Sequence, residues 1–112
     1  MEIYTGIKDL VLLVTLSGEI DHHSAEEIRS RIDRAYERSA CKHIIFDFTR
    51  VTFMDSSGIG MMIGRYKHTE KRAGSLLIAG MSEELKRIYH ISGLAKIAKC
   101  YNSVEEAELS VL

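Results

Sequence analysis

Runs of strand-type apolar residues alternate along this chain with helical stretches, and no other feature restricts the fold as much. The first clear run is Leu10-Val11-Leu12-Leu13-Val14-Thr15-Leu16, with Gly18 marking its end. The second is His43-Ile44-Ile45-Phe46-Asp47-Phe48, from which Val51-Thr52-Phe53-Met54 leads out. Ser75-Leu76-Leu77-Ile78-Ala79, closed by Gly80, is a third, and Ile97-Ala98-Lys99-Cys100-Tyr101 reads as a last edge strand. Near-continuous apolar runs of this kind suit strands covered on both faces, as in a parallel sheet. Ile3 and Tyr4 supply a short strand that pairs antiparallel with the first run through a turn at Lys8-Asp9, which makes the sheet mixed.

The intervening stretches carry helix-start chemistry. Ser24 is the expected N-cap of a helix over Ala25 to Arg38, with Glu27 three residues on to close a capping box and Ile28, Ile32, Ala35 and Tyr36 at helical spacing. Asp55-Ser56-Ser57-Gly58 opens a second helix that runs to about Lys71, with Ile59, Met62, Ile63 and Tyr66 on one face, and Gly74 follows its end. Ser82 caps a third, with apolar Leu85, Ile88 and Tyr89, and Ser103 caps a terminal helix through Glu106. The pattern predicts an α/β fold: a mixed, mostly parallel sheet of four to five strands with about four helices. With no proline, repeat or low-complexity tract in 112 residues, the expectation is one domain over 1–112.

Charge and cysteine usage narrow the function classes. Fifteen Lys and Arg against sixteen Asp and Glu leave no basic excess to neutralise phosphates, which disfavours direct nucleic-acid binding. The Leu10–Leu16 run is too short to span a bilayer and no basic segment precedes it, so no membrane association is expected. Cys41 and Cys100 show neither pairing nor metal-like spacing, which suits a reduced, cytoplasmic protein.

The most unusual stretch is Phe53-Met54-Asp55-Ser56-Ser57-Gly58-Ile59-Gly60, where a buried strand hands over to a helix. That is the carboxyl end of the sheet, where ligands and partners often bind. One reading is a helix cap alone, Asp55 or Ser56 accepting a bond from a free N–H. The other is a serine hydroxyl exposed at the helix start that accepts a phosphate. A phosphoserine adds about 1.5 to 2 negative charges. The free N–H groups and macrodipole of a helix N-terminus tolerate them, whereas neighbouring Asp55 opposes them. The expected result is an intact domain with altered surface charge.

Gly58, Gly60 and Gly64 each cost a helix up to about 1 kcal/mol relative to alanine. They serve either close packing of helix on sheet or close approach of another protein's backbone. Met61, if it points outward, is an adaptable interface residue. Asp21-His22-His23 is a polar cluster between strand and helix, either solvated or in contact with a partner; adjacent histidines without further ligands make a poor metal site. A nucleophile elbow needs glycine two residues before the serine, and Met54 stands there before Ser56. The phosphate-cradling G-x-x-x-x-G-K-[ST] loop is absent as well. No catalytic residue, cofactor or metal is therefore expected.

Gly18-Glu19-Ile20-Asp21-His22-His23, the Phe53–Gly60 stretch, Gly64-Arg65-Tyr66-Lys67 and Ile91-Ser92-Gly93-Leu94 with Lys96-Ile97 together resemble the STAS-domain anti-sigma factor antagonists, most of all their sporulation branch. The resemblance covers essentially the whole chain. It implies a single STAS domain that binds an anti-sigma factor serine kinase and so frees a sporulation sigma factor, sigma-F. It further implies that the kinase phosphorylates Ser56, the first serine of the motif, and that a serine phosphatase restores the active form. Asp21 and His22, with Asp55, Ser56, Ser57, Gly58, Ile59, Gly60 and Met61, are the residues this likeness sets against the partner. An antagonist of a general stress sigma pathway, or a STAS domain that binds a small ligand or nucleotide, are the alternatives.

Overall fold

A computed structural model describes residues 1–112 throughout. Strands β1 (Glu2–Lys8), β2 (Val11–Ile20), β3 (His43–Met54), β4 (Leu76–Ala79) and β5 (Lys99–Tyr101) form one sheet in that spatial order. β1 pairs antiparallel with β2, and every other neighbour is parallel. Helices α1 (His22–Glu37), α2 (Ser56–Lys71), α3 (Glu83–Ile91) and α4 (Val104–Leu109) complete the chain. The expected α/β architecture and mixed sheet are present, with five strands and four helices.

Side-chain alternation divides the sheet into two faces. Leu12, Val14 and Leu16 of β2 join Ile28, Ile32 and Tyr36 of α1, Met62 of α2, and Leu85 and Tyr89 of α3 in the main core. Val11, Ile45 and Leu77 turn to the other face, where Ala107 of α4 covers them. Burying each large aliphatic side chain contributes about 1.5–3 kcal/mol, so the three-helix face dominates stability.

The strands are longer than the apolar runs suggest. β2 continues through Gly18, whose φ of +119° is open to glycine. There the β2–β3 register slips between Gly18 and Glu19, as it does between Thr15 and Ser17. β5 is shorter, because Ile97 and Ala98 follow a 3-10 turn over Leu94–Lys96.

α1 starts earlier than expected because Asp21, not Ser24, is its N-cap. The Ser24 N–H donates to Asp21 Oδ1 (2.9 Å), and the Asp21 N–H donates to Ser24 Oγ (2.8 Å). This is a capping box with the acid at the cap and the hydroxyl inside the helix. The far ends of α1 and α2 are tied by Arg72. Its Nη1 donates to the carbonyls of Tyr36, Ser39 and Cys41 at 3.1, 3.3 and 2.8 Å. Its guanidinium also lies 4.0 Å from the centre of the Tyr36 ring. A charged donor thereby ties together three carbonyls at and just beyond the end of α1.

Candidate functional site

The β2–β3 pairing sets the site. Glu19 faces Phe53 and Ile20 faces Met54, so the two strands finish side by side. Each then passes directly into a helix capped by an aspartate, Asp21 for α1 and Asp55 for α2. The Asp55 N–H donates to the Ile20 carbonyl (3.1 Å), which fastens the start of α2 to the end of β2. Asp21 and Asp55 are thus brought together, at the carboxyl end of the sheet, with two parallel helix N-termini beside them. The fields of those termini favour negative charge.

At α2, Asp55 Oδ1 accepts from the Ser57 N–H (2.9 Å) and the Gly58 N–H (3.4 Å). Ser56, the first helical residue, is exposed, and its hydroxyl makes no hydrogen bond within the chain. Ser57 is half-buried. The two adjacent serines therefore differ: one hydroxyl stands free in solvent, and the other lies partly covered. At α1, the Ser24 N–H and hydroxyl hold the Asp21 carboxyl below the usual carboxylate range, with His23 nearby reinforcing them. His22 and His23 are exposed, their rings edge to face with centroids 5.7 Å apart.

The glycines of α2 do two different jobs. A Cβ at Gly58 would lie 2.4 Å from Met54 Cγ and 2.9 Å from Ile20 Cγ2, so the helix start approaches both strand ends more closely than alanine permits. Gly60 and Gly64 have open space where a Cβ would be. They leave a groove of about 350 Å³ between α1 and α2, bordered by His22, Arg29, Ser57 and Arg65.

Two expected contact residues are turned inward. Met61 is 5% exposed and belongs to the main core, so it does not point outward as an interface methionine; Gly58 is buried too. Both shape the surface from below. The buried face of α2 consists of Gly58, Met61, Met62, Arg65 and Thr69, whereas Ile59, Ile63 and Tyr66, expected there from spacing, are half-buried. Asp21, His22, Ser56, Ser57, Ile59 and Gly60 retain accessible surface around the strand ends.

Arg65 and Asp33 lie outside the residues that spacing and capping chemistry single out. Arg65 is 4% exposed, and its Nε lies 2.9 Å from Asp33 Oδ1 of α1. His68 Nδ1 approaches the same oxygen at 3.3 Å. The Arg65 N–H is not aimed along the contact, which is therefore an ion pair and not a directed hydrogen bond. Burial pulls the Arg65 guanidinium below its ordinary range, Asp33 opposes that pull, and Arg29 adds to it. The available signal was an arginine at helical spacing from Met61, Met62 and Thr69.

The STAS domain family matches residues 2–107. The anti-sigma F factor antagonist of Paenibacillus polymyxa is 38% identical over 104 residues, 91% of this chain and 89% of that protein. The anti-sigma-B factor antagonist of Bacillus subtilis is 37% identical over 84 residues, 75% of each chain. Among solved structures, the unphosphorylated anti-sigma factor antagonist SpoIIAA superimposes with a TM-score of 0.86 at 32% identity, covering 98% of this chain and 96% of that one. The phosphorylated form of Bacillus SpoIIAA gives 0.77 at 32% identity, covering 99% and 100%.

Proposed function

The chain belongs to the STAS-domain family and is an anti-sigma factor antagonist of the SpoIIAA type, and from that premise we propose that it is a partner switch controlled at Ser56. In this reading its unphosphorylated form binds an anti-sigma factor that is also a serine kinase, and so releases a sporulation sigma factor, sigma-F. Phosphorylation of Ser56 ends the complex, a serine phosphatase reverses the mark, and residues 1–112 act as one unit in the cytoplasm. No helix is long and apolar enough to cross a membrane.

The observation that carries the reading is the free, exposed Ser56 hydroxyl at the first position of α2, beside a partly covered Ser57. A phosphate there lies at the positive end of the helix, whose Ser57 and Gly58 N–H groups remain held by Asp55, so the fold survives. Its charge also sits beside Asp55 and close to Asp21, on the surface that Ile59, Gly60 and His22 border. A partner pressed against that surface must desolvate the added charge without a matching cation, which costs several kcal/mol. That is enough to change an affinity by orders of magnitude. The chain's own residues do no chemistry on substrate; the hydroxyl is the acceptor and the kinase supplies the base and the nucleotide.

The likeness to sigma-B antagonists supports a second reading, in which the same surface and the same serine serve a general stress pathway. Titration of the purified protein against anti-sigma kinases of both kinds separates the two. Tight binding to the sporulation kinase alone is expected, and preference for the stress kinase would transfer the assignment. Calorimetric titration with ATP and GTP tests for a nucleotide site independent of any partner.

A further inference from the structure

β1 is the outermost strand on its side of the sheet and hydrogen-bonds only to β2. Alternate residues along it direct N–H and C=O groups outward, where nothing in the chain meets them. Most of the usual protections of such an edge are missing, its charges standing only at the two ends, Glu2 and Lys8. Its register is unbroken by a bulge, it has no proline, and no charge lies between Ile3 and Ile7. Tyr4 and Ile7 are exposed at 61% and 62%.

The sequence of this strand, Glu-Ile-Tyr-Thr-Gly-Ile-Lys, is complementary to itself read backwards. We propose that β1 is a homodimer interface, pairing antiparallel with β1 of a second copy about a twofold axis at Thr5 to make one continuous ten-stranded sheet (two of the five-stranded sheets). In that register Glu2 faces the partner's Lys8, and Lys8 faces the partner's Glu2. Both oppositely charged pairs lie on the α4 side of the sheet, because Glu2, Tyr4, Gly6 and Lys8 share that face. Tyr4 covers the partner's Gly6, an aromatic ring over a residue with open space at its Cβ position. On the opposite face Thr5 meets the partner's Thr5, and exposed Ile7 meets the partner's Ile3, which already belongs to the main core. Each of these is a favourable cross-strand pair. Moving the axis to Tyr4 or Gly6 separates Glu2 from Lys8 and leaves residues at one end unpaired, so the pattern selects one register. The interface uses neither Asp21 nor Ser56.

Charge reversal provides the test, because β1 is exposed at Glu2, Thr5 and Lys8, and of the two charges only Lys8 has an ion-pair contact within the chain, an exposed one with Glu108 at 3.9 Å. Sedimentation of the full chain is expected to show a concentration-dependent dimer. Glu2→Lys or Lys8→Glu alone places like charges opposite each other twice per dimer and is expected to weaken association about tenfold or more. The double variant Glu2→Lys/Lys8→Glu restores it, and an equimolar mixture of the two single variants forms the heterodimer. Under mild oxidation Thr5→Cys links to itself across the axis, whereas Tyr4→Cys, which faces Gly6, does not. Circular dichroism confirms that each variant is folded. A chain that stays monomeric at high concentration overturns the proposal. So does a dimer indifferent to the single reversals, which would place the contact elsewhere, or cross-linking through Tyr4→Cys in preference to Thr5→Cys.

Discussion

Asp33 Oδ1 on α1 lies 2.9 Å from Nε of buried Arg65 on α2, and this ion pair holds together the two helices whose N-termini border Ser56. Removing one partner of a buried pair strands the other charge, at a cost of about 3–5 kcal/mol. Asp33 keeps about a fifth of its side chain exposed, so Asp33→Ala is expected to cost about 2–3 kcal/mol once solvent screening is allowed for. The double variant Asp33→Leu/Arg65→Met leaves no orphaned charge and is expected to recover most of that loss. Urea denaturation measures both. An Asp33→Ala protein within about 0.5 kcal/mol of the parent would show that solvent, not Asp33, satisfies the guanidinium.

The glycines of α2 should respond oppositely to the same change. Gly58→Ala drives a methyl into Met54 and Ile20 and is expected to destabilise by about 1–3 kcal/mol. Gly60→Ala meets open space and is expected to stabilise the helix by about 0.4–1 kcal/mol. Its methyl nevertheless projects into the groove between α1 and α2, so partner affinity should fall while stability rises. A Gly60→Ala protein with unchanged partner affinity would remove that groove from the interface.

Stability should also depend on pH through His43. Its Nδ1 accepts the Ser75 N–H (3.0 Å), which requires a neutral ring, and burial, reinforced by Lys42, lowers its pKa below the ordinary 6.5. Between the lowered folded pKa and the unfolded one, the unfolded chain binds more protons, so stability rises with pH across that window. The contribution is complete above the unfolded value and is lost as pH falls toward the folded value. Thermal denaturation at several pH values should show the decline, and His43→Asn, which keeps an acceptor but cannot titrate, should flatten it. An equal slope in both proteins would assign the effect to other groups.

Much of this architecture was legible because local and global preferences agree. The buried runs at Leu12–Leu16, Ile44–Phe48 and Leu76–Ala79 are strands on apolar content alone, and Asp55, Ser82 and Ser103 cap the helices they precede. Misreadings occur where two residues share one chemistry. Asp21 and Ser24 satisfy one another's N–H groups, so the pair marks a helix start without saying which member is the cap. The apolar runs stop short of the strand ends at Gly18 and Phe48 because a bulge interrupts alternation there without ending the pairing. Spacing leaves the direction of Met61 open, because Gly58, Gly60 and Gly64 blur the apolar stripe of α2. Its inward turn depends on how closely Gly58 lets the helix approach Met54, a tertiary distance that no spacing rule contains.

In the proposed switch, one exposed hydroxyl turns partner binding off while the domain stays folded. The direct measurement incubates the protein with an anti-sigma factor serine kinase and ATP, locates the added mass, and then titrates the isolated phosphoprotein against that kinase. The expected result is a single phosphate on Ser56, an unchanged circular dichroism spectrum and affinity reduced by at least about a hundredfold, with Ser56→Ala binding normally and taking up no phosphate. Phosphate on Ser57, or a Ser56 phosphoprotein that binds as tightly as the parent, would contradict it.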